Sequence, residues 1–188
     1  MYEISHYFGD SVYFFPNPVQ PIKEQIGLLS TKCAALIATG FHVGFLVRVG
    51  IAVGDLRIKQ ITLPEGEKRE IKIGSSMAKA HALQDLQDWV GGAVLSEFPA
   101  TLPEINRLKY EIPLKDKGYS SPTTLEALNW VYILSGIYSH DKGKVINIIK
   151  QRILEIGDSE SEKITFKLEN TLAIVDRVFN DPQYNPIN

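Results

Sequence analysis

The chain predicts an α+β fold: a mixed, largely antiparallel sheet of about five to seven strands with helices packed on it. Three observations predict it. Apolar residues recur at two-residue steps in some stretches and at three- and four-residue steps in others, in irregular alternation. Two pairs of strand-like runs flank the turn sequences Gly9-Asp10 and Pro64-Glu65-Gly66. Two long amphipathic stretches follow near the C-terminus.

Taken in order, Tyr2 to Phe15 reads as a hairpin that Pro16, Pro18 and Pro21 terminate. From Ile22 to Thr39, Ile22, Ile26, Leu29, Cys33, Leu36 and Ile37 fall on one helical face, with Gly40 as the stop. Phe45 to Val53 is an apolar run broken only by Arg48 and Gly50, which predicts a central strand. Leu56 to Thr62 and Lys68 to Ile73 alternate and form a second hairpin. Ser75 or Ser76 then caps a helix to about Gln87, and Gly91-Gly92 breaks it before a short strand, Ala93 to Leu95. Arg107 to Leu114 predicts an edge strand with a proline, and Asn129 to Leu134 a further short strand. Lys142 to Ile156 and Glu160 to Phe179 predict the two closing helices.

A length of 188 residues fits one domain with a helical tail. Residues 1–115 read as an α/β core and 116–188 as an extension ending in two helices packed on it. A formal charge of −2 gives no electrostatic case for a nucleic-acid partner. The single cysteine, Cys33, excludes an internal disulfide and fits a reducing, cytoplasmic setting. The N-terminus lacks the basic and apolar pattern of a signal peptide. The richest apolar run, Ile26 to Thr39, is shorter than a membrane span and carries Lys32, so no membrane partner is expected.

Three stretches carry the chemistry. They are HYFGDSVYFF (His6 to Phe15), VRVGIAVGD (Val47 to Asp55) and GSSMAKAHALQ (Gly74 to Gln84). In this order and spacing they resemble the catalytic domain of class III nucleotidyl cyclases, over about Ser5 to Ser96. The resemblance implies a ferredoxin-like cyclase core and conversion of a nucleoside triphosphate to a cyclic nucleotide. It also implies two Mg²⁺ or Mn²⁺ ions held by two carboxylates. Phe8-Gly9-Asp10 fits the context of the second carboxylate, so Asp10 becomes the metal ligand; on composition alone it is a turn residue. The strand bearing the first carboxylate would precede Met1, so the expectation is an N-terminally incomplete core with its first strand missing. The gap would be filled by a partner chain, by the C-terminal region or by collapse of the sheet.

The resemblance also fixes the positions that read the base and ribose. His6 stands four residues before Asp10, where Lys or Glu reads a purine, and Ile71 stands where Asp or Cys is usual. Aligning Gly74 with the family glycine puts Ala78 and Ala82 where an Asn and an Arg act on ribose and transition state. Alanine can do neither job. Lys79 and His81 are the nearby cations, each one position off that face. Gly74 and the two serines after it offer helix amides to an anion, or a plain cap. Arg48 reads as a phosphate contact or as the partner of an acid, and Asp55 as a site residue or a turn.

The departures resemble a bacterial subset with motifs of the type F-S-D-S, R-G-G-I-x-x-G-E and G-x-x-x-x-x-A-x-x-L-E. Here these read Phe8-Gly9-Asp10-Ser11, Arg48-Val49-Gly50-Ile51-Ala52-Val53-Gly54-Asp55, and Gly74 with Ala80, Leu83 and Gln84. YEIPLKDKG, ALNW and KLENT look like that group's C-terminal extension. The expectation is therefore a divergent cyclase-like domain whose chemistry is lost or depends on residues upstream, with a homodimer partner as one source of missing groups. The alternative is a non-catalytic nucleotide-sensing or protein-interaction module. Trp89, Trp130 and KLENT are expected to serve packing.

Overall fold

The structure, a computed structural model, describes residues 3–8, 11–16, 19–95, 107–108, 112–115, 125–156 and 161–182. It is a mixed α+β fold, as the alternating periodicities predict. Its elements are β1 (Glu3–Phe8), β2 (Ser11–Phe15), α1 (Ile22–Val43), β3 (Val49–Ile51), β4 (Arg57–Thr62) and β5 (Lys68–Ile73). There follow α2 (Ser75–Leu86), β6 (Gly92–Leu95), β7 (Arg107–Leu108), β8 (Leu125–Leu128), α3 (Trp130–Ile137), α4 (Lys142–Glu155) and α5 (Glu162–Asn180).

Instead of one broad sheet, the described strands form a four-stranded sheet, β3-β6-β8-β7, and two separate hairpins, β1-β2 and β4-β5. β3 and β6 run parallel, Val49 opposite Gly92 and Ile51 opposite Val94. β6 and β8 run antiparallel, as do β8 and β7. The β4-β5 ladder is regular from Arg57↔Ile73 to Thr62↔Lys68, and its turn closes through Gly66 N–H donating to Leu63 O at 2.9 Å. Gly66 has φ +83, a left-handed value that glycine adopts without a steric penalty.

Helix α1 runs past the expected stop at Gly40 and ends at Gly44, whose φ is 99 and whose N–H donates to Gly40 O at 2.9 Å. This is the left-handed glycine cap that satisfies an orphan helix carbonyl. At 22 residues α1 is long and apolar enough to cross a membrane, by length and composition. Here Ile26, Cys33, Ala34, Ile37, Ala38 and Phe41 are buried inside the fold. The shorter run read from the sequence omitted the last turn.

Two strand assignments need correction. The apolar run Phe45 to Val53 is a ladder only at Val49–Ile51, because β6 is its single strand neighbour among the described residues. Asn129 to Leu134 is not a strand. Asn129 is the N-cap of α3, its side-chain oxygen accepting from Tyr132 N–H at 3.2 Å, and the strand is the preceding Leu125–Leu128. Of the predicted strand Arg107 to Leu114, Arg107–Leu108 forms β7 and Leu114 makes an isolated bridge to Gln87.

The core lies between the four-stranded sheet and α1, α3, α4 and α5. Trp89, Trp130, Phe41, Ile37, Leu128, Leu134, Ile149, Ile153 and Ile174 are fully buried. Phe41 stacks on Trp130 with ring centroids 4.8 Å apart, and Trp89 lies 6.5 Å from Trp130. The two tryptophans therefore serve packing. The segment 116–188 contributes an inner strand, β8, as well as α3, α4 and α5 to this core.

Candidate functional site

Parts of all three motif stretches face one cleft of about 820 Å³. Val12 to Phe15, from the end of the first stretch, form one wall. Val47 to Val53, from the second, form the other, and α2 contributes Ser76, Met77, Ala80, His81 and Gln84 from the third. Ile26, Leu29 and Cys33 of α1 line it as well. The lining is largely apolar. Among the described residues Arg48 and His81 are its basic side chains, and none of the lining residues is an aspartate or glutamate.

The second and third stretches are locked together by backbone approach. An added Cβ on Gly50 would lie 2.2 Å from Ala80 O and 3.0 Å from Gln84 N, so only glycine allows α2 this close to β3. At the next turn a Cβ on Gly74 would lie 1.9 Å from Asp55 O. The serines expected to cap α2 do a different job. The N-cap is Gly74, with no side-chain cap. Ser75 Oγ accepts from Asp55 N–H at 3.0 Å, and Ser76 Oγ donates to Asp55 O at 3.1 Å. Ser76 N–H also donates to Asp55 O, at 3.4 Å. One helix-start amide thus meets a carbonyl of the preceding turn, where an anion was considered.

Asp55 is consequently held through its backbone, and the residue is exposed. Arg48 is half-buried and donates to the Gln87 carbonyl at 3.3 Å, where an acidic partner was expected. Lys79 is half-buried on α2 and absent from the described cleft lining, which the neighbouring Ala80 and His81 join instead. Ala78 and Ala82 are exposed. Asp10 lies outside the described residues. His6 belongs to β1, which pairs antiparallel with β2, and its side chain lies outside the described ones. The structure thus brings Asp55 and Gly74 together, places Arg48 in the cleft wall, and leaves Lys79 away from it.

Sequence reading missed Gln87. It is fully buried at the end of α2, and its side chain joins three segments. Gln87 Nε2 donates to Val49 O at 2.9 Å and to Leu83 O at 3.1 Å, while its Oε1 accepts from Trp89 Nε1 at 2.9 Å. No periodicity marks a polar residue at a helix terminus as buried. The KLENT stretch anchors the same region. Asn170 Nδ2 donates to Asp88 O at 2.9 Å, and Thr171 Oγ1 accepts from Val90 N–H at 3.0 Å. Lys167, from the same stretch, has its pKa lowered, first by burial and then by the Arg48 guanidinium; Asp88 opposes this and Lys115 adds to it. Lys167 thus lies near both Arg48 and Asp88, and Lys115 is itself paired with Asp85 at 3.8 Å.

A Mg²⁺ or Mn²⁺ pair needs converging hard oxygen ligands. Among the described residues no group of three or more His, Cys, Asp or Glu side chains converges. A Ser-His contact elsewhere is also not a nucleophile: Ser135 Oγ lies 3.0 Å from His140 Nδ1 but already donates to Tyr132 O at 2.7 Å. The chain matches no protein-family model, no curated protein and no solved structure.

Proposed function

We propose that this chain is a divergent class III cyclase-like domain that binds a nucleoside triphosphate without turning it over at a rate typical of cyclases. The observation that carries this reading is the convergence of residues from three sequence-distant motif stretches on one cleft. The order hairpin, helix, strand, hairpin, helix, strand from Glu3 to Leu95 supports a ferredoxin-like cyclase core.

The side chains favour binding over catalysis. Ala78 and Ala82 supply neither a ribose contact nor a cation for transition-state charge. Arg48 in the cleft wall, with Lys167 near enough to feel its charge, offers a guanidinium to phosphate oxygens. Calorimetric titration with ATP, GTP, CTP and UTP in the presence of Mn²⁺ tests this. The reading expects one or more triphosphates to bind, more weakly after Arg48→Gln. No heat with any of the four, and no competition by pyrophosphate, would reject nucleotide binding and leave the interaction module as the better account.

A further inference from the structure

The β4-β5 hairpin projects from a fixed root. Ser75 and Ser76 hold the Asp55 backbone just before β4, and Gly74 packs against Asp55 O just after β5. From that root the ladder runs from Arg57↔Ile73 to Thr62↔Lys68, roughly 20 Å. Both of its faces carry exposed side chains: Gln60, Thr62 and Lys68 on one, Arg57, Lys59 and Arg69 on the other. Cross-strand partners share a face, so the pairs Arg57↔Ile73, Lys59↔Ile71 and Ile61↔Arg69 set three cations and three isoleucines on the second face. Ile73 and Ile71 follow one another along β5, and Ile61 is the diagonal neighbour of Ile71 across the ladder. The isoleucines thus form an oblique apolar ridge, with Arg57 and Lys59 along one flank and Arg69 on the other. Ile73 is 66% exposed and Ile71 37%.

We propose that this face docks on an anionic phospholipid bilayer. The isoleucine ridge turns toward the acyl boundary, and Arg57, Lys59 and Arg69 meet the headgroup phosphates and carboxylates. An apolar ridge with cations on both flanks complements a surface whose negative charge overlies an apolar layer. Long basic side chains keep their charge at headgroup level while their stems follow the ridge. Arg69 pairs with Glu67 at 3.0 Å, but both side chains are exposed, and such a pair is weak enough to exchange for lipid phosphate. Glu65 and Glu67 at the turn oppose end-on insertion, so the hairpin lies flat. The face is small for a protein partner, since a stable interface takes roughly 20–30 residues a side. Docking on a surface needs no membrane-spanning length. The six residues are not among the described cleft lining, so the inference is independent of nucleotide binding.

Co-sedimentation of the full chain with phosphatidylcholine vesicles, with and without about 30% phosphatidylserine, tests it. Binding is expected on the anionic vesicles, at least tenfold weaker on the neutral ones, and lost as salt rises from about 0.05 M to about 0.5 M. Each cation at an anionic surface is worth about fivefold in affinity, so Arg57→Gln combined with Lys59→Gln should weaken binding about thirtyfold. Ile73→Ser should weaken it about threefold or more. Lys68→Gln, on the opposite face, should cost less than Lys59→Gln. All these positions are exposed, and circular dichroism checks the fold of each variant. Equal binding to both vesicle types, no binding at about 5 mM lipid, or anionic binding unchanged in the double variant would overturn the proposal. Tighter binding to a short DNA duplex than to the vesicles would assign the face to nucleic acid. Self-association lost in Ile73→Ser would assign it to a second copy. Either result would also overturn it.

Discussion

Gly50 and Ala80 sit so close that the α2 carbonyl of Ala80 would lie 2.2 Å from any Cβ placed on Gly50. This approach joins the second and third motif stretches and sets one wall of the cleft. The clash is with backbone, which cannot rotate away as a flexible side chain can.

Gly50→Ala should therefore destabilise the protein by about 3 kcal/mol or more, since α2 must leave β3 to make room. Gly136 in α3 is the control, because a Cβ there meets nothing within 4 Å. Gly136→Ala should be neutral or stabilising by up to about 1 kcal/mol. Urea unfolding midpoints of the two variants check the contrast, and equal effects would contradict the packing account.

Gln87 should behave as a buried polar hub. Gln87→Leu keeps the volume but leaves the Trp89 indole N–H without its Oε1 partner. The expected cost is about 1–3 kcal/mol for that stranded donor alone. Near-ultraviolet circular dichroism should show a changed tryptophan signal alongside a lower urea midpoint. A variant as stable as the parent would show that the network contributes little.

Cys33 gives the fold a pH dependence. Burial pushes its thiol from an ordinary 9.0 up to about 12. The folded pKa is raised, so the stability this neutral thiol contributes is fully present below pH 9.0 and lost as pH rises toward about 12. In that window the unfolded chain ionises and the folded chain does not. The slope from this group is about 1.4 kcal/mol per pH unit. Unfolding midpoints measured at several pH values across the window should fall more steeply in the parent than in Cys33→Ala. Parallel slopes would contradict the assignment.

Asn129 should matter as a cap. Asn129→Ala removes the acceptor for Tyr132 N–H at the start of α3 and should cost about 0.5–2 kcal/mol. Asn129→Asp retains an acceptor oxygen and should recover part of that loss. Thermal or urea unfolding of the pair checks it; equal loss in both would show that Asn129 acts by something other than capping.

The same residue marks where sequence reading fails and why. Trp130-Val-Tyr-Ile-Leu134 is a β-favouring, short apolar run, and Leu125-Glu-Ala-Leu128 is helix-favouring, yet the first is helix and the second strand. Tertiary placement decided both. Trp130, Val131, Leu134 and Ser135 are buried, where periodicity cannot separate strand from helix. Leu125–Leu128 lies between β6 and β7 and takes the conformation its neighbours impose. The signals that succeeded are local: the alternation in β4 and β5, and the three- and four-residue steps of α1, α4 and α5.

The cleft was legible only in part. The sequence singled out Asp55 and Gly74 as candidate site residues, and Gly54 and Asp55 do meet the start of α2. The use made of the serines was not legible, because it depends on the Asp55 carbonyl reaching across from another element. The burial of Gln87 is likewise a product of three-dimensional packing.

The most direct test of the account is product analysis by mass spectrometry, with purified chain, each of the four triphosphates, and Mg²⁺ or Mn²⁺. A missing transition-state donor costs about 3 kcal/mol, or roughly a hundredfold in rate, and Ala82 stands where that donor would be. The account predicts no cyclic nucleotide at a rate typical of cyclases. Robust cyclic product that disappears in Asp10→Ala would contradict it and show that Asp10 acts with a second acid to complete a catalytic metal site.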